Sequence, residues 1–271
     1  MVEVIIIAVV SVTVIGIICA AVLSAASKVM AVQVDERVEK VRQCLPGANC
    51  GACGYAGCDG YAKALVEDGV KTNLCVPGGD SVSKEISSVL GVEFEDVIEK
   101  VAVVRCQGDC TRTAKKMNYE GIDSCKGAKL LFGGDGSCVF GCLGFGDCAK
   151  VCPNDAICIE GGIARVDERA CVGCALCASA CPNNVIAIVP ETSHMLVRCS
   201  NMEKGAAVRK ECTMGCIGCK KCERVCPAGA ISVANNLAGI DYEKCINCGA
   251  CKEACPVGCI ALRGVQICPA E

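Results

Sequence analysis

The sequence predicts an α+β chain in which one N-terminal transmembrane helix is followed by small repeated modules. Three observations carry that expectation: a long uncharged run near the N-terminus, 30 cysteines among 271 residues, and a cysteine phrase that recurs at fixed spacing. The phrase is Cys171, Cys174, Cys177, Cys181-Pro182, then Cys216, Cys219, Cys222, Cys226-Pro227, then Cys245, Cys248, Cys251, Cys255-Pro256. Two residues between thiolates let one loop wrap three corners of an iron-sulfur cube, and the cysteine before proline leaves to ligate a neighbouring cube. Three copies of C-x2-C-x2-C-x3-C-P therefore read as [4Fe-4S] binding.

Other uses of cysteine fit less well. Disulfide scaffolds are short and secreted, and a run of four thiols before a proline is too many for one zinc-binding pair. Composition agrees with metal-coupled folding. The chain is 52% hydrophobic but 3% aromatic and lacks tryptophan, so its apolar positions are small. Such a core leans on its clusters, and the apo chain is expected to fold poorly. The formal charge of -3 leaves the clusters out. Five oxidised cubes at about -2 each bring the loaded chain to roughly -13, so docking a negatively charged carrier calls for a local basic patch.

Each element follows in order. Residues 4–26 carry no charge, and about 23 residues at 1.5 Å each span a bilayer core of roughly 30 Å. Only Glu3 precedes them, so the positive start of a signal peptide is missing. Lys28, Arg37, Lys40 and Arg42 follow, which places the chain in the cell membrane as a single pass with its C-terminal bulk in the cytoplasm. Residues 1–28 are thus expected as the anchor and 29–43 as a linker. Cys50, Cys53 and Cys58, interleaved with glycines, precede a helix closed by Gly69 that delivers Cys75 before Pro77-Gly78-Gly79. They define a small single-cluster domain over 44–80, with Cys44 as a spare.

Residues 81–137 read as a connecting helix and a valine-rich strand near 101–104. Cys106, Cys110 and Cys125 match no cluster motif there and read as structural. Cys138, Cys142, Cys148 and Cys152-Pro153 form an expanded copy of the phrase and open a first dicluster module over 138–190. Residues 191–212, with HMLVRC and AAVRKEC about a turn near Lys204-Gly205, read as a β-hairpin insertion. A second module takes 213–271. The phrases CPNDAI, CPNNVI, CPAGAI and CPVGCI, the last with Cys259 in its variable place, make a fourfold repeat of two pseudo-symmetric, ferredoxin-like modules.

Crossing of the pre-proline cysteine to the other cube fixes the expected ligands of five [4Fe-4S] clusters. The first takes Cys50, Cys53, Cys58 and Cys75, and the second Cys138, Cys142, Cys148 and Cys181. The third takes Cys171, Cys174, Cys177 and Cys152. Cys216, Cys219, Cys222 and Cys255 hold the fourth, and Cys245, Cys248, Cys251 and Cys226 the fifth. Cys19, Cys44, Cys106, Cys110, Cys125, Cys158, Cys199, Cys212, Cys259 and Cys268 remain, as small apolar residues. No nucleotide-binding glycine motif is present, and the single histidine, His194, reads as a surface residue. The chain moves electrons and makes no bonds of its own.

The order of parts resembles the B subunits of the Rnf complexes, bacterial ferredoxin:NAD oxidoreductases that couple electron transfer to ion translocation. The resemblance rests on NCGACGYAGCDGYAKAL with Cys75-x-Pro77-Gly78-Gly79, on GCLGFGDCAKVCP, and on the ferredoxin repeats behind an N-terminal anchor. It implies a component that takes electrons from soluble reduced ferredoxin and relays them to the membrane and NADH- or flavin-binding subunits. It implies no nucleic-acid partner. Two rivals are a component of the related Rsx complex, whose B subunit carries one dicluster module, and a scaffold that donates clusters.

Overall fold

The computed structural model describes residues 2–29 and 35–264. The apolar N-terminal run forms one helix, α1 (Val2–Val29). Among the described residues no helix is long and apolar enough to cross a membrane, which overturns the transmembrane element of the expected fold class. The single-pass placement of the chain in the cell membrane rested on that segment alone and falls with it.

Asp35 caps α2 (Glu36–Cys44) by accepting the Arg37 N–H at 2.9 Å. With α3 (Cys58–Glu67) and α4 (Gly79–Leu90), this helix closes a small core around Val41, Tyr61, Leu65 and Ile86. Tyr61 is 1% exposed, and its hydroxyl donates to the Lys71 carbonyl at 2.7 Å while accepting the Leu74 N–H at 3.3 Å. That one side chain fixes the loop carrying Cys75 against the helix carrying Cys58.

The valine-rich run forms β1 (Lys100–Val104), buried on both faces. Beyond it come α5 (Cys125–Leu130), α6 (Asp147–Lys150), the hairpin of β2 (Ile157–Glu160) and β3 (Ile163–Val166), α7 (Leu176–Ala180) and β4 (Ile186–Pro190). β4 returns antiparallel to β1, with Val101 opposite Val189. The same order then recurs. β5 (Met195–Val197) and α8 (Gly205–Glu211) precede α9 (Lys221–Val225), the hairpin of β6 (Ile231–Ala234) and β7 (Leu237–Ile240), α10 (Ala250–Glu253) and β8 (Ile260–Leu262). β8 pairs antiparallel with β5, Met195 opposite Leu262.

Each small ferredoxin-like unit is therefore a strand, two short helices, a hairpin, a further helix and a returning strand. Two expectations change. The strand near 101–104 belongs to the first unit instead of a connection, and residues 191–212 are no hairpin. HMLVRC does become a strand, but its three buried residues find their partner at the far end of the second unit. AAVRKEC becomes α8, with Val208 fully buried on one face and Arg209 and Lys210 in the last turn, where cations suit the helix dipole.

The units share a core of Val101, Val103, Val189 and Leu196. Burying each such side chain contributes about 1.5–3 kcal/mol before conformational entropy is set against it. An ion pair joins the same faces: Arg263 Nε lies 3.0 Å from Glu168, with side chains 10% and 16% exposed. Arg263 also donates to the Pro190 carbonyl at 3.3 Å.

Candidate iron-sulfur sites

The ligand loops wind by left-handed residues on both sides of their middle cysteine. Gly173 and Ala175 flank Cys174 at φ 64° each, Gly218 and Lys220 flank Cys219 at 65° and 60°, and Asn247 and Gly249 flank Cys248 at 55° and 82°. Strands packed against the loops, and the residue just ahead of β6, bring backbone N–H groups to the sulfurs. The Cys171 sulfur accepts the Ala102 N–H at 3.4 Å, Cys142 that of Ala164 at 3.4 Å, and Cys226 that of Ala230 at 3.3 Å. N–H···S bonds of this kind set the potential of an iron-sulfur cluster.

The thiols gather around cavities. Cys152, Cys171, Cys174 and Cys177 line one, Cys226, Cys245, Cys248 and Cys251 another, and Cys216, Cys219, Cys222 and Cys255 a third. In all three the pre-proline cysteine has crossed to the other loop of its unit. Cys259 joins the third wall, 3.6 Å from the Cys255 sulfur. In the N-terminal core, burial pushes the Cys75 thiol up to about 11, opposed by the Gly78 N–H and reinforced by Cys58, Cys53 and Cys50. These four thiols are therefore electrostatic neighbours. Cys44 turns away from them, donating to the Lys40 carbonyl at 3.3 Å.

The expected second set is not brought together as its spacing suggests. Cys142, Cys148 and Cys181 line one cavity, and its fourth thiol is Cys125, from the start of α5. Asp147 ties the two segments by accepting from the Ser124 hydroxyl at 2.8 Å and the Lys126 N–H at 3.1 Å. Burial opposes its ionisation, yet these donors hold its carboxyl below the usual range. Cys138 faces a different cavity, beside Cys106, Cys199 and Cys212.

The signal for Cys125 was present in the sequence. Cys142-Leu-Gly-Phe-Gly-Asp-Cys148 has the same length as Cys216-Ile-Gly-Cys-Lys-Lys-Cys222, so Phe145 stands where Cys219 stands. The loop is not expanded. It lacks its middle thiol, and α5 supplies one. Phe145 packs edge-on against Tyr119, ring centroids 5.2 Å apart, on the segment leading to α5.

These sites fit a cluster better than an ion. Zinc draws its sulfurs to about 2.3 Å from a single point. Among the described residues no three thiol, imidazole or carboxylate groups converge in that way, and the thiols stand around cavity walls instead. His194 is exposed, with its backbone N–H on Asn247 at 2.9 Å.

Comparison with known proteins agrees with this chemistry. A family described as a putative Fe-S cluster domain matches residues 45–77, and one described as a 4Fe-4S dicluster domain matches 170–230 and 215–259. The chain is 47% identical to the B subunit of the proton-translocating ferredoxin:NAD(+) oxidoreductase complex of Clostridium ljungdahlii, over 84% of this chain and 81% of that protein. The chain belongs to the B-subunit family of the Rnf complexes. The B subunit of the Na(+)-translocating ferredoxin:NAD(+) oxidoreductase complex of Acetobacterium woodii is 41% identical, over 82% of this chain and 67% of its own. That of the ion-translocating oxidoreductase complex of Methanosarcina acetivorans is 40% identical, over 81% and 83%. As a member of this Rnf family, the protein is an iron-sulfur electron-transfer subunit of an oxidoreductase and carries [4Fe-4S] clusters.

Proposed function

We propose that this subunit accepts electrons from reduced ferredoxin and relays them to the other subunits of its Rnf complex through [4Fe-4S] clusters held on five sets of thiolates. Cys50, Cys53, Cys58 and Cys75 form the first set, and Cys125, Cys142, Cys148 and Cys181 the second. Cys171, Cys174, Cys177 and Cys152 form the third, Cys216, Cys219, Cys222 and Cys255 the fourth, and Cys245, Cys248, Cys251 and Cys226 the fifth. The observation that carries this reading is the gathering of four of these sets around separate cavities, each set completed by a thiol from outside its own loop. Bound there, the clusters supply one-electron transfer without bond chemistry.

The chain's residues fix the sites, exclude water and tune them. Ile157, Ile186, Ile231 and Ile260 wall the cavities and are buried. Neighbouring sets are close. Burial raises the Cys174 thiol, and Cys50 of the first set adds to that through its charge. Cys177 of the third set acts likewise on Cys148 of the second. A cluster donor would want exposed, labile sites, whereas Cys58, Cys75, Cys125, Cys148, Cys177, Cys216, Cys222 and Cys251 are buried.

The test is metal content. The anaerobically isolated full chain is expected to hold at least about twenty irons with matching acid-labile sulfide, four per cube. A well-loaded sample with about eight or fewer irons, or with zinc in their place, overturns the assignment.

A further inference from the structure

The largest of the five cavities described, about 40 Å³ against about 20 Å³ for the next, belongs to none of the five sets. Four of its five thiols, Cys106, Cys138, Cys199 and Cys212, lie outside those sets, and the fifth, Cys142 of the second set, stands on the wall that the two cavities share. The four are related by the internal repeat. β1 ends in Val104-Arg105-Cys106 and β5 in Val197-Arg198-Cys199, while Cys138-x3-Cys142 and Cys212-x3-Cys216 each place one thiol just ahead of a ligand loop. Each unit thus contributes the same two cysteines.

All four sulfurs accept N–H groups. Cys106 takes that of Cys142 at 3.4 Å, and Cys199 takes those of Cys216 at 3.3 Å and Asn201 at 3.5 Å. Cys138 takes the Phe140 N–H and the Asn201 side-chain amide, the latter at 3.4 Å, and Cys212 takes those of Met214 and Gly215. A buried cysteine acting as a small apolar residue needs no such donors. Backbone without side chains comes up to the sulfurs. A Cβ on Gly108 would stand 3.6 Å from the Cys212 sulfur and 3.7 Å from that of Cys106, and one on Gly141 3.7 Å from Cys106. Arg105 and Arg198 bring positive charge to the wall, which suits a dianionic guest.

We propose that Cys106, Cys138, Cys199 and Cys212 bind a sixth [4Fe-4S] cluster, shared by the two ferredoxin-like units and bridging their wires. The proposal rests on the reading of the chain as a [4Fe-4S] carrier. The bridging position follows from the two symmetric bonds, since the Cys142 N–H belongs to a second-set ligand and the Cys216 N–H to a fourth-set ligand. Ser200 Oγ to the Arg105 carbonyl at 3.0 Å and Thr113 Oγ1 to the Glu211 carbonyl at 2.8 Å hold the units together beside it.

Iron, acid-labile sulfide and EPR-monitored potentials are measured on the anaerobically isolated full chain and on Cys199→Ala/Cys212→Ala. About twenty-four irons falling to about twenty, with one signal lost and the others retained, is expected. About twenty irons in both proteins overturns the sixth site and leaves the five-set reading standing, whereas about eight or fewer in wild type overturns both. Should the double variant fail to load, Asn201→Ala decides, because it keeps every thiolate and removes one N–H···S donor to Cys138. One midpoint is then expected to fall with iron content unchanged, and a full set of wild-type midpoints overturns the proposal.

Discussion

On the proposed ligand sets, Phe145 occupies the place of a ligand, and Cys125 completes the second set in its stead. Cys125→Ala is therefore expected to remove about four irons and one EPR signal, and Phe145→Cys in that background to restore both. Full loading of Cys125→Ala would return the ligand to another thiol. The buried thiols also set a pH dependence. Burial pushes Cys142 up to about 11 and Cys148 and Cys177 to about 12, from an ordinary value of 9.0. They are protonated at neutral pH, so loading iron displaces protons and strengthens as pH rises. The apo fold runs the other way, because its neutral thiols stabilise it fully below about pH 9 and that contribution is lost as pH climbs through about 11–12. Proton release during reconstitution in weak buffer, and apo melting temperatures at pH 8 and 11, check the two signs. The regular phrases were legible at this scale because spacing alone encodes them. Cys125 was legible only indirectly, through the missing middle thiol of the Cys142–Cys148 loop, since a ligand supplied from another element leaves no spacing of its own to read.

In each unit the first ligand loop is pressed against the tip of the hairpin, and glycine makes the approach possible. A Cβ on Gly144 would meet the Gly162 carbonyl, and one on Gly218 would stand 2.9 Å from that of Asn236. Both glycines are left-handed, at φ 77° and 65°. Gly218→Ala is expected to cost about 1–2 kcal/mol for conformation and more for the displaced hairpin, and to speed chelator-driven loss of the fourth cluster. Gly229→Ala, also left-handed but with open space around its Cβ, should show the conformational cost alone. Equal losses in the two variants would remove the contact from the argument. Helix α3 was legible from its closing Gly69, and strand β1 from the valine run. The pairing of β5 with β8 was not, because three apolar residues do not say which distant segment covers them. The hairpin reading of residues 191–212 failed for the same reason, compounded by Ala206, Ala207 and Val208, whose pattern serves a short helix once Val208 has a core to enter.

At the scale of the whole molecule, proximity orders the sites from the first set to the third, the second, the shared cavity and the fourth. With the fifth set sharing the fourth's unit, the second unit forms one end of this line. The pseudo-symmetry of the two units was readable from the C-P phrases, while the cavity between them arises only on folding, from cysteines that spacing had left over. Electron entry then becomes a question of charge. The loaded chain stands at roughly -13 to -15, so a negatively charged ferredoxin must find a local exception. Lys220 and Lys221 are exposed beside Cys219, at the far unit's fourth set, whereas the matching loop over 171–181 carries no charge. Arg224 stands near them but works for the loop itself, donating to the Cys219 carbonyl at 3.3 Å and the Lys220 carbonyl at 3.5 Å. It is therefore left unchanged in the test. Lys220→Glu/Lys221→Glu is expected to keep its iron, to lower the association rate with reduced ferredoxin by roughly tenfold or more at low salt, and to flatten the ionic-strength dependence. Stopped-flow reduction across a salt series measures both quantities. A wild-type rate and slope in the variant would place entry at the opposite end, where Cys50 and Cys53 of the first set are partly exposed.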